Sequence, residues 1–93
     1  MKNNNYITYE SRGVNQKWYV SIIKGTIAKE GTRHFIAKII FGIWDYVPEH
    51  KGPYTRNNIR KTSKIRHLIK NIKNIRPSTD QEILFLNNRI KKA

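Results

Sequence analysis

Residues 51–76 hold nine Lys or Arg and no Asp or Glu. Fixed positive charges at short intervals do one kind of chemistry well: they neutralise phosphates or another dense array of anions. Solvated faces ordinarily mix both signs of charge, so a one-sided run points to an anionic partner. The candidate phosphate contacts are Lys51, Arg56, Arg60, Lys61, Lys64, Arg66, His67, Lys70, Lys73 and Arg76. Exposed aromatic rings would supply the second half of a nucleic-acid surface, because unpaired bases stack on them. Tyr19 and Tyr54 are the candidates; Tyr19 neighbours Trp18, and on a strand the two must point to opposite faces.

Groups able to move protons or hold metals are few. Asp45, Glu49 and His50 are close enough in sequence to hold Mg²⁺, and His34 with His67 could form an acid–base pair. Neither set matches a recognised spacing, and the three histidines lack zinc-ligand spacing. No Gly-rich phosphate loop or nucleophile motif is present. The chain therefore reads as non-enzymatic, with no cofactor and no metal.

Charge across the whole chain agrees with the local run. Its 93 residues include 19 Lys and Arg against 6 Asp and Glu, a net charge of +13 and a pI near 10.4. Ile, Asn and Lys fill 37 positions, the mark of AT-rich coding, but that bias would raise Glu together with Lys, and only four Glu occur. The imbalance is therefore physical, and it is the footprint of a nucleic-acid binder. Cysteine is absent, which suits a reducing compartment. The opening residues lack the apolar segment of a signal peptide, and the longest apolar run, IIFGIW at 39–44, falls far short of the ~20 residues needed to cross a bilayer. A cytoplasmic protein with no membrane partner is expected, in the host cytosol if phage-encoded.

The elements that would carry these residues follow from periodicity. Aromatic and β-branched residues predict strands at about 5–9, 17–24 and 33–41, with a hairpin loop between Gly25 and Gly31. Trp18, Val20 and Ile22 share one face of the second strand, and Phe35, Ala37, Ile39 and Phe41 share one face of the third. Residues 43–47 either extend the third strand past Gly42 or form a fourth. Two prolines and a glycine make 48–55 a connection. Beyond it, Ile65, Leu68, Ile69, Ile72 and Ile75 recur at helical spacing, with Thr62 or Ser63 as N-cap, predicting a helix over about 60–75. On that helix Arg60, Lys64, His67 and Lys70 would form an outward row about 15 Å long. Pro77 would stop it, and Thr79 with Glu82 matches a capping box for a second helix over about 80–91, with Ile83, Leu84, Leu86 and Ile90 as its apolar side. The two helices could also make a helix–turn–helix in which Asn87, Asn88 and Arg89 read bases. The fold class is thus α+β: one domain over 1–93, with a three-stranded antiparallel meander in 1–47 and a two-helix half in 56–93.

Arg12-Gly13-Val14, then Lys17-Trp18-Tyr19-Val20-x-Ile22, a glycine turn and a third strand ending in Phe41-Gly42 resemble integrase arm-binding domains over about a third of the chain. That resemblance implies a sheet laid in the DNA major groove, a helix packed behind it, and contacts from Arg12, Lys17, Tyr19 and Arg33.

The function expected is non-enzymatic binding of DNA or RNA through a cationic helix face. A phage or mobile-element accessory factor that binds and inhibits a host nucleoprotein complex, of anti-CRISPR or other anti-defence type, is the alternative. A ribosome-associated RNA-binding protein is the second.

Overall fold

A computed structural model describes residues 5–49 and 58–92, the last two as backbone only. Five antiparallel strands and one α-helix organise the described residues: β1 (Tyr6–Arg12), β2 (Trp18–Glu30), β3 (His34–Trp44), β4 (Ile59–Leu68), a 3-10 turn (Ile69–Asn71), β5 (Ile72–Pro77) and α1 (Asp80–Lys92). The strands lie in the order β4-β3-β2-β1-β5. This replaces the expected three-stranded sheet with two helices by a five-stranded sheet with one.

The expected helix over 60–75 is instead strand β4, the 3-10 corner and strand β5. Its isoleucines satisfy two periods at once. Within 63–68 the residues alternate, Ser63, Ile65 and His67 to one side and Lys64, Arg66 and Leu68 to the other. The corner at 69–71 then restarts the pattern, so that Ile72 is buried while Ile75 is 38% exposed. β-branched residues favour the extended form, and β3 offers a complete edge to pair with, from His34↔Leu68 to Ile43↔Ile59. Long-range pairing has overridden a helical spacing of apolar residues.

The long hairpin is also larger than expected. β2 runs without a break through 26–30, and the reversal comes only at Gly31, whose φ is +63°. Gly25 sits instead at a bulge, where the β2–β3 register shifts between Lys24 and Gly25. A Cβ there would collide with the carbonyl oxygen of Lys38, so only glycine fits. The bulge moves the buried residues of β3 from one face to the other: Ala37 and Ile39 pack with Tyr9, Ile23 and Ile72, whereas Phe41 and Ile43 pack with Ile22 and Leu86.

Sheet closure follows from chain length. β4 and β5 are the two outermost strands, about 19 Å apart in a flat sheet at ~4.8 Å per spacing. Only Ile69–Asn71 join them, and four residue steps reach at most ~14 Å even when fully extended. The sheet must curl. Tyr9 on β1 and His67 on β4 confirm it, with ring centroids 5.7 Å apart across three strand spacings. The result is a partly closed barrel, with Tyr9, Ile23, Ala37, Ile39 and Ile72 forming the core of its inner face.

α1 covers part of the outer face. Leu86 is fully buried there against Ile22 and Ile43, and Phe85 meets Tyr46 edge-on at 4.8 Å. Burying side chains of this size contributes about 2 kcal/mol each. Of the expected apolar side, Leu84 is 62% exposed, and Phe85 takes its place in the core. The expected capping box is present: Glu82 N–H donates to Thr79 Oγ1 at 3.2 Å, and Thr79 N–H donates to the Glu82 carboxylate at 2.8 Å. With no helix before it, the helix–turn–helix does not form. Among the described residues no helix is long and apolar enough to cross a membrane.

Candidate nucleic-acid interface

The strand geometry redistributes the predicted cations over several surfaces. Ala37, Ile39 and Ile65 point inward, so Lys38, Lys64 and Arg66 between them point outward. Lys38 and Lys64 are direct cross-strand partners, both exposed. Lys61 lies opposite Phe41, whose ring carries Lys24 Nζ at 6.0 Å from its centroid. Arg66 pairs with Glu30 at 2.8 Å, both ends largely in water. Arg33 and Lys70 line one shallow depression with Thr32 at the far end of the hairpin. The half of the outer face that α1 leaves uncovered, made by β2–β4, is therefore cationic, with exposed Ile40 and Leu68 between the charges.

Four predicted contacts lie elsewhere. Arg60 and His67 face the inner side, Lys73 sits on β5 over the Trp18 ring at 4.0 Å, and Arg76 is bound to Glu82. The expected row of Arg60, Lys64, His67 and Lys70 thus does not exist, because a strand sends successive side chains to opposite faces. Lys51, Tyr54 and Arg56 lie outside the described residues, as does His50. His34 pairs with Leu68 and His67 with Phe35, which puts the two imidazoles on opposite faces, so that acid–base pair is not assembled. Among the described residues no group of three or more His, Asp or Glu could hold a metal ion.

Arg76 holds the structure together at the start of α1. Its guanidinium donates to both oxygens of Glu82, at 2.9 and 2.7 Å, and the Thr8 hydroxyl donates to the same carboxylate at 3.0 Å while sharing a 2.7 Å bond with Ser78. Burial alone would raise the Glu82 pKa, but the bonds from Arg76, Thr79 and Thr8 together outweigh it and hold the carboxyl at about 2. Only the Thr79–Glu82 part of this network was visible as a motif; Thr8 is 74 positions away.

The inner face carries a cleft of about 420 Å³, with Tyr9, Ile23, Ile39 and Ile65 among its walls. Tyr19 and Trp44 stand at one side, 4.8 Å apart and tilted by 38°. Lys17 Nζ lies 5.6 Å from the Tyr19 centroid and the Arg60 guanidinium 6.0 Å from that of Trp44, both within cation–π range. Trp18, on the other face, is flanked by Arg12 at 4.8 Å and Lys73 at 4.0 Å. Tyr19 is thus half-buried beside a charged aromatic cluster that nothing in the sequence assembled, since Trp44 and Arg60 come from strands whose pairing had to be known first. Burial raises the Tyr9 pKa, and burial followed by the nearby Arg60 charge lowers that of His67.

Arg12, Lys17 and Tyr19 gather at this end of the sheet, while Arg33 is at the opposite end of the β2–β3 hairpin; the four contacts implied by the integrase-type resemblance do not form one row. No protein family, curated protein or solved structure matches this chain.

Proposed function

We propose that this protein binds nucleic acid through the backbone phosphates, using the uncovered outer face of β2–β4 in place of a helix. The Lys38–Lys64 pair carries the reading. Like charges directly opposite on a sheet have Cβ atoms about 5 Å apart and destabilise it. Lysines on an edge strand guard against strand-to-strand association, which accounts for Lys61 and Lys64 on β4. It does not account for Lys38, which sits on the interior strand β3 and faces Lys64. A polyanion lying across the two strands removes that repulsion and releases its own condensed counterions. Lys24, Lys61, Arg33 and Lys70 extend the same field along the sheet.

The test is fluorescence anisotropy with random-sequence DNA and RNA, single- and double-stranded, for the wild type and for Lys38→Gln/Lys64→Gln. The double variant is expected to bind at least tenfold more weakly while melting at the same temperature or higher. Wild-type indifference to all four polymers, together with stoichiometric capture of one acidic protein, would move the assignment to an inhibitor of a host nucleoprotein complex.

A further inference from the structure

The inner cleft differs from the outer surface in kind: it is concave, apolar at its base and lined by His67, whose Nε2 the fold leaves unpaired. Its volume of about 420 Å³ falls within the ~300–1,000 Å³ typical of small-molecule sites. His67 Nε2 is the decisive atom. It is shut off from solvent and has no hydrogen-bond partner, although leaving a buried polar atom unpaired costs about 1–3 kcal/mol. If packing edge-on against Tyr9 were its only task, phenylalanine would serve without that penalty. Tyr9 and Ser21, direct cross-strand partners on β1 and β2, line the same cleft. Arg60 brings a positive charge close enough to act on both Tyr9 and His67. Tyr19 and Trp44 supply an aromatic wall.

One wall for a flat ring, one cation for an anionic group and a dry polar edge between them describe a particular ligand class. We propose that the cleft takes one nucleotide, free or as an unpaired residue of a polymer, with its base against Tyr19 and Trp44 and its phosphate on Arg60, the His67 ring turning so that Nε2, buried and unpaired in this structure, meets the edge of the base. In its choice of ligand the proposal rests on the nucleic-acid reading above, but the residues it uses are different ones.

Titrating the protein with each ribonucleoside monophosphate, and separately with inorganic phosphate, tests it through tryptophan fluorescence and the NMR signals of the His67 ring. At least one nucleotide is expected to saturate and shift the His67 signals, whereas inorganic phosphate leaves them in place. His67→Phe should weaken that binding at least tenfold with the melting temperature kept or raised; Arg60→Gln, which leaves the cleft floor intact, should weaken it comparably. The proposal is overturned if no nucleotide and no short single-stranded oligonucleotide moves His67, if inorganic phosphate produces the same shift, or if both variants bind like the wild type. Nucleotide in the cleft without polymer affinity at Lys38 and Lys64 would overturn the outer-face reading alone. Polymer binding that leaves His67 untouched would overturn the cleft alone.

Discussion

Two titratable groups, Glu82 buried and His67 half-buried, set how single residues answer to pH. Glu82 loses its proton more readily in the folded chain, at about 2 against an ordinary 4.5, so acidification loads the unfolded chain first. The stability it contributes is present above pH 4.5 and disappears towards pH 2, about 2 kcal/mol once screening of the half-exposed Arg76 is allowed for. His67, lowered from 6.5 by burial and then by Arg60, has the same sign: stability declines as pH drops below 6.5. Denaturant melts across pH 2–8 should show both limbs, with Glu82→Gln abolishing the lower one; a flat profile below pH 4.5 in the wild type would contradict the network. The Thr79–Glu82 half of it was legible because a capping box is local. Thr8 and Arg76 were not, since β1 and β5 meet only after the sheet has closed.

Strands and turns depend on a few positions where the backbone leaves ordinary geometry. Gly25→Ala should cost at least about 2 kcal/mol, because the added Cβ meets a backbone carbonyl in the middle of a paired strand rather than a side chain that can swing away. A substitution tolerated within ~0.5 kcal/mol in chemical denaturation would show that the bulge lies elsewhere. Thr62 has φ +48°, where a β-branched residue is strained, and it lies between Lys61 and Ser63, the partners of Phe41 and Ile39, at the point where β3 changes its buried face. Thr62→Asn should therefore stabilise by about 1 kcal/mol, seen as a higher denaturant midpoint with unchanged slope; a lower midpoint would mean the hydroxyl contributes more than the strain costs. The first three strands could be read from alternation, and α1 from its cap and its amphipathic pattern. β4 and β5 could not, because isoleucines at 65, 69 and 72 fit a helix as well as two strands joined by a corner, and only the available edge of β3 decides between them.

For the whole molecule, composition was the most legible layer: a charge of +13 on 93 residues persists whatever the fold. Where that charge gathers was not legible. A helix would have drawn the cations of 60–73 into a row, whereas the curled sheet divides them between an outer face with Lys61, Lys64 and Arg66 and a cleft with Arg60 and His67. Concentration on the outer face gives a number that can be checked. Each phosphate neutralised contributes about −0.9 to the slope of log affinity against log salt on duplex DNA and about −0.7 on single strands. The slope for the wild type and for Lys38→Gln/Lys64→Gln, taken between low and physiological salt, is the most direct measurement. Removing two contacting lysines should flatten it by about 1.4 to 1.8; slopes that coincide would mean that phosphates do not lie across β3 and β4.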